Sequence, residues 1–215
     1  MKIGIYGGSF NPVHFGHISI ARRAIVELSL DKLLVIPANV SPFKVGKSDC
    51  SHLWNRVDRV VAAFADVEKA EVDLREIKRG GVSYTIDTVR EIVSEMGEDA
   101  SLERLYYIIG EDSLEGLERW KDYDELKKLV EFVPFPRTKE SSTEIRNLFS
   151  EYGVKLNPDE RIASLVEAGV IKKNAFCPCR LQKRPEFFCP CDEFKSQLVD
   201  PSFHGLCHCR LYLKP

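Results

Sequence analysis

Lys2-Ile3-Gly4-Ile5-Tyr6-Gly7-Gly8-Ser9-Phe10-Asn11-Pro12-Val13-His14-Phe15-Gly16-His17 is the stretch from which the rest of the chain is read. Ile3 and Ile5 alternate as in a short buried strand. Gly7-Gly8 is expected to end that strand and to let the backbone pass close to a bulky ligand. Asn11-Pro12 turns the chain, and His14 and His17 fall where a helix begins. A spacing of three residues places both imidazoles on one face of its first turn. The free N–H groups of that turn point at any bound anion. Two histidines, a glycine turn and a helix start together make a site for phosphate groups.

Outward from this stretch, apolar residues recur at helical spacing over Ile18 to Leu30, and Leu33 to Pro37 reads as a second buried strand. A polar loop with Ser41-Pro42-Phe43-Lys44 follows. Leu53 to Ala65 is again helical in pattern, Ala70 to Leu74 is a third strand, and Ser83 to Thr88 leads into a helix reaching about Met96. Arg104 to Gly110 is a fourth strand, with a helix start at Glu111-Asp112-Ser113. Glu131 to Pro136 is a fifth, whose two prolines suggest the sheet edge or the strand end. Strands alternating with helices predict an α/β fold, a doubly wound Rossmann-like parallel sheet. Ligands of such sheets sit beyond the carboxyl ends of the strands. The loops after the strands are therefore expected to converge on one cleft.

At 215 residues, 30% charged and 44% hydrophobic, the chain suits a soluble globular protein of one sizeable domain, or of one domain with a small appendage. A formal net charge of −2 gives no global case for nucleic acid or an anionic membrane, so phosphate must be held locally. No apolar run approaches the ~20 residues of a membrane span, and the N-terminus reads as no signal segment, so a cytoplasmic protein is expected. Of seven cysteines, six crowd between Cys177 and Cys209. In a reducing compartment such crowding points to metal or redox chemistry more than to structural disulfides.

Ser141-Ser142-Thr143-Glu144-Ile145-Arg146 is a helix N-cap signal. It resembles the ISSTxIR signature of the nucleotidyltransferases, as the opening stretch, residues 2–17, resembles their GxFDPxHxGH signature, with Asn11 in place of the usual Asp. Between the two, Ile36-Pro37-Ala38, Pro42-Phe43-Lys44, Arg79 to Thr88, Ile109 to Leu114 and Trp120 are similar to bacterial nicotinate-nucleotide adenylyltransferases, over about residues 1–150. The resemblance implies a fold of the nucleotidyltransferase type and transfer of the adenylyl group of ATP, with Mg²⁺, to nicotinate mononucleotide. It implies catalytic roles for His14, His17, Lys44 and Arg146, and nucleotide contacts from Gly7, Gly8, Ser9, Phe10, Gly110, Asp112, Ser142 and Thr143. Thr85 and Trp120 would meet the pyridine end of the substrate. An Asp112 helix cap and a merely structural Trp120 fit the residues too. The segment between Phe135-Pro136-Arg137 and Ser141 is some two dozen residues shorter than the family's.

Beyond Leu156-Asn157-Pro158-Asp159-Glu160, read as a helix start with Pro at its first position, and Gly169, read as its stop, lie Cys177-Pro178-Cys179, Cys189-Pro190-Cys191 and Cys207-His208-Cys209. Residues 155–215 resemble the catalytic chain of ferredoxin–thioredoxin reductase and form the small Cys-rich C-terminal module, with a nucleotidyltransferase domain over 1–154. The resemblance implies a [4Fe–4S] cluster on Cys177, Cys189, Cys191 and Cys207, a redox disulfide of Cys179 and Cys209, and His208 as proton donor. It implies ferredoxin and thioredoxin as partners. Thiolates suit Zn²⁺ as well, so a structural zinc tail stays open, as does a redox protein whose nucleotide fold only binds.

Overall fold

The computed structural model describes residues 1–44, 51–96, 104–136 and 138–215. In chain order the elements are β1 (Lys2–Gly8), α1 (Phe15–Glu27), β2 (Lys32–Pro37), α2 (Arg56–Phe64), β3 (Ala70–Val72), α3 (Arg75–Arg79), α4 (Thr85–Met96), β4 (Arg104–Gly110), α5 (Tyr123–Leu129), β5 (Glu131–Phe135), α6 (Ser142–Glu151), β6 (Lys155–Leu156), α7 (Glu160–Lys172), α8 (Asp192–Val199), β7 (Gly205–Leu206) and β8 (Tyr212–Lys214). The described residues group into two compact units, neither continuous in sequence. One holds 1–9, 16–47 and 67–139; the other holds 10–15, 48–66 and 140–215. The expected boundary between 154 and 155 falls inside the second. No helix among the described residues is long and apolar enough to cross a membrane.

The first unit is a five-stranded sheet in the order β3-β2-β1-β4-β5, with every neighbouring pair parallel. It is the expected doubly wound, nucleotidyltransferase-like sheet. β5 is an edge strand, which tolerates Pro134 opposite Ile109. Ile3, Ile5, Leu34, Ile36 and Ile109 pack against Ile86, Val89 and Ile92 of α4, as alternating strand positions and one helix face should. Two readings need correction. Gly7 and Gly8 do not break β1 but are its last two paired residues, opposite Ile36 and Pro37. The space that Gly7 leaves is taken by the Tyr107 hydroxyl of β4, which a Cβ would strike. Glu111 to Arg119 forms 3-10 turns and not an α-helix.

The second unit packs α2 on α7 and α6 on α8, beside a small antiparallel sheet in the order β6-β8-β7. Its core joins Trp54, Phe149, Phe194 and Tyr212 to Cys189, Cys191 and Cys207. The Phe149 ring meets Tyr212 edge-on at 5.1 Å, and Phe194 stacks on it at 5.8 Å. α7 departs from the expectation at both ends. Its N-cap is Asp159, accepting from Arg161 N and Ile162 N, while Asn157 holds the turn before it by donating to Arg210 O at 2.8 Å. Gly169 lies inside the helix, where an added Cβ would come within 3.1 Å of Pro178 Cβ. The missing side chain serves a close approach and ends nothing.

Candidate active site

In the first unit the strand ends enclose a cavity of about 480 Å³, within the ordinary range for small-molecule sites. The loops after β1, β2 and β4 line it, bringing together Gly7, Gly8, Ser9, Gly110, Asp112, Thr85 and Trp120 from the sequence reading. Trp120 is half-buried and meets Tyr107 at 5.7 Å and Phe132 at 6.0 Å, both edge-on, so its ring is braced at the cavity wall. Thr85, first residue of α4, lies 3.3 Å from Tyr107 Oη. Burial pushes the Tyr107 phenol well up, against the pull of that bond, so its proton stays in place at neutral pH. Asp112 is exposed, and its Oδ1 lies 2.6 Å from where a Gly110 Cβ would be, a contact that its flexible side chain can relieve. Lys44 closes a short turn with Pro42 and Phe43, and its side chain lies outside the described residues.

Tyr6, Tyr107, Tyr84, Arg119 and Lys121 also line the cavity and were not singled out from the sequence. Tyr6 and Tyr107 occupy the later halves of β1 and β4, so the strand-end rule could have found them. Burial also raises the Tyr6 phenol. His17, half-buried on α1, has its ring 6.3 Å from that of Tyr6.

In the second unit, the turn before His14 is fastened to the start of α6. Ser142 Oγ donates to Pro12 O at 2.8 Å, and Arg146 Nη1 donates to Asn11 O. Arg146 Nη2 also donates to Thr143 Oγ1 at 3.1 Å. From the other side Trp54 Nε1 donates to Asn11 Oδ1 at 2.8 Å. This gives Asn11 a structural use: its side-chain oxygen receives the indole. Ser141 caps α6 by accepting from Glu144 N. His14 is buried, and Phe10 turns with φ +44° to bury its ring against Phe64 at 5.9 Å. Phe10 thus has only backbone to present to a nucleotide.

The six clustered cysteines are all free thiols in this same unit. Cys177, Cys189, Cys191 and Cys207 are buried, Cys179 is exposed and Cys209 half-buried. Cys179 Sγ lies 3.1 Å from Cys177 Sγ, and Cys209 Sγ 3.5 Å from Cys207 Sγ. Cys179 and Cys209, expected as a disulfide, are thus thiols, each beside its own Cys-x-Cys partner. A bond to Cys177 and burial raise the Cys191 thiol. Burial pushes Cys189 up to about 11 against the pull of Arg59. The bond with Cys209 holds Cys207 below the usual thiol value. Arg59 of α2 is 1% exposed, ion-paired with Glu167, and 5.9 Å above the Tyr212 ring. His208 is exposed. Among the described residues no group of three or more His, Cys, Asp or Glu side chains is placed to hold a metal ion. The four buried thiols suit a four-thiolate cluster by ligand type alone, and the Arg59 guanidinium is already paired with Glu167.

Comparison with known proteins adds the following. Residues 5–173 match the cytidylyltransferase-like family model. A protein of Fusobacterium nucleatum, named as a probable nicotinate-nucleotide adenylyltransferase, is 38% identical over 69% of this chain and 75% of its own. One of Listeria innocua, named likewise, is 37% identical over 68% of this chain and 85% of its own. Among solved structures, a protein of Vibrio parahaemolyticus named for the same activity superposes with a TM-score of 0.51 at 24% identity, covering 70% of this chain and 87% of that one. The nicotinic acid mononucleotide adenylyltransferase of Plasmodium falciparum, complexed with NaAD, gives 0.51 at 16% identity, covering 80% and 96%. At these identities the two structures speak for the fold alone.

Proposed function

The chain belongs to the cytidylyltransferase-like family and, within it, to the nicotinate-nucleotide adenylyltransferases, and we propose that it joins ATP and nicotinate mononucleotide into deamido-NAD with release of pyrophosphate. One observation carries the reading. The helix start Ser142–Arg146 is hydrogen-bonded to the Asn11-Pro12 turn, 130 residues away in sequence. The Asn11-Pro12 turn of the first signature and the helix start of the second thus share one local structure.

The attacking group is the 5′-phosphate of the mononucleotide, already an anion, so no general base or covalent nucleophile is needed. Catalysis then consists of positioning and of cancelling charge in an in-line transfer. His14, His17, Lys44 and Arg146 are the groups assigned to that charge, with Ser142 and Thr143 at the α6 start as further donors. Mg²⁺ supplies charge neutralisation as the counter-ion of the triphosphate. The cavity with Thr85 and Trp120 takes the mononucleotide, its indole serving the pyridine ring. Gly7, Gly8, Ser9, Gly110 and Asp112, with the Phe10 backbone, serve the nucleotide. Purified protein given ATP and Mg²⁺ should release pyrophosphate with nicotinate mononucleotide and much less with the nicotinamide analogue. ATP binding without release from either would favour a nucleotide-binding redox protein instead.

A second proposal concerns the cysteines, and the split between four buried thiols and two accessible ones favours it. Cys177, Cys189, Cys191 and Cys207 would hold a [4Fe–4S] cluster, which when bound supplies electrons one at a time. Cys179 and Cys209 would exchange with a partner disulfide, two thiols becoming one disulfide as the partner's becomes two thiols. His208 is placed in this reading as the proton donor. Ferredoxin as electron source and thioredoxin as acceptor belong to the same proposal. Anaerobic preparation should give brown protein with about four irons per chain; stoichiometric zinc without iron would make the module a structural zinc tail.

A further inference from the structure

Phe15, which follows His14 in the His14-Phe15-Gly16-His17 run, is gripped by the cysteine-bearing segment. Its ring lies 6.4 Å from Phe176 and 6.3 Å from Phe188, both edge-on, and those two rings meet each other at 5.2 Å. Phe176 and Phe188 each stand immediately before a Cys-Pro-Cys pair. They face each other in a single antiparallel bridge, fixed by Cys177 N donating to Phe187 O at 2.8 Å and Cys189 N to Ala175 O at 2.9 Å. The backbone that sets Cys177 and Cys189 therefore also sets the two rings. His14 and Phe15 share a narrow seam with Phe188, Cys189 and Pro190. The seam measures about 10 Å³, room for one water at most. It is packing, not a ligand pocket.

A three-ring contact next to His14 has no counterpart in the other supports of this turn. Trp54, Ser142 and Arg146 all hold Asn11 and Pro12, upstream of the histidine. Downstream the hold comes from Phe176 and Phe188. We propose that Phe188, with Phe176, is a positioning residue for adenylyl transfer: it fixes His14 through Phe15, so the cysteine segment completes the transfer machinery. This rests on the adenylyl-transfer reading. Edge-to-face pairs hold a geometry as well as burying area, and a displacement of about 1 Å in a phosphoryl-transfer site costs up to ~100-fold in rate.

The test is steady-state kinetics of pyrophosphate release on the full chain, for Phe188→Ala, Phe15→Leu and the double variant. Phe188→Ala should lower kcat about tenfold, with KM for nicotinate mononucleotide unchanged, because the cavity assigned to that substrate is lined by other residues. If Phe188 acts through Phe15, the double variant should lose no more than the worse single one. Phe188→Leu should recover part of the rate, and Cys189→Ser should lower kcat less than Phe188→Ala does. A folded Phe188→Ala or Phe188→Leu protein with wild-type kcat overturns the inference, as do strictly multiplicative losses with Phe15→Leu. Should Phe188→Ala fail to fold, Phe188→Leu carries the same comparison. Absence of turnover in the unmodified protein would instead overturn the adenylyl-transfer reading itself.

Discussion

In the parallel-sheet unit the buried positions belong to Ile3, Ile5, Leu34, Ile36, Ile86 and Val89; in the other unit Cys189, Cys191 and Cys207 stand among Trp54, Phe149, Phe194 and Tyr212. The first core is what a doubly wound sheet needs and is indifferent to redox chemistry. The second is built from helices α2, α6, α7 and α8 and short strands, around aromatic rings, sulfur and a partly buried ion pair. Aliphatic packing explains the first without a ligand. A core with so many ionisable thiols is stabilised by what they bind or by staying protonated. Yet the second unit carries His14 and Arg146, so chemistry assigned to the phosphates depends on the less conventional core.

The chain has two tryptophans, Trp120 in the first unit and Trp54 in the second. Single-tryptophan versions therefore report each unit separately. The largest effect is expected from Glu167→Gln, which leaves the Arg59 guanidinium buried without its counter-ion. It should cost the unit reported by Trp54 about 3–5 kcal/mol, with Trp120 reporting little change. Equal shifts at both would break the comparison. Next comes His14→Ala, expected to cut kcat for pyrophosphate release by ~100- to 1000-fold. KM for nicotinate mononucleotide should hold, and a raised KM alone would remove His14 from the chemistry. Trp120→Ala should do the converse, raising that KM by about tenfold while sparing kcat and metal content. The smallest is Gly169→Ala, about 1 kcal/mol against the Trp54 unit. Crowding at Pro178 outweighs the gain in helix propensity. A stabilised variant would show that the contact is slack.

The five parallel strands were legible because alternating and continuous apolar runs such as Leu33–Pro37 and Leu105–Ile109 are periodic and strong. The converging loops followed from the strand-end rule. Gly7 was misjudged because the approaching group is Tyr107, contributed by a strand 100 residues away in sequence, and no local pattern announces it. Gly169 failed for the same reason, its neighbour being Pro178 across a turn. The grouping of 10–15 and 48–66 with the C-terminal residues was not legible either. It depends on Trp54 reaching Asn11 and Arg59 reaching Glu167, contacts between residues that read singly as a loop aromatic and a helix charge. Among the site residues, those carried by motifs could be named in advance. Phe176 and Phe188 act through shape and carried no signature.

The most direct measurement is identification of the dinucleotide formed when the protein meets ATP and Mg²⁺ with equal amounts of nicotinate and nicotinamide mononucleotides. Deamido-NAD as the main product, formed mole for mole with pyrophosphate, is the predicted result. Protein that binds ATP yet yields neither dinucleotide would contradict the account.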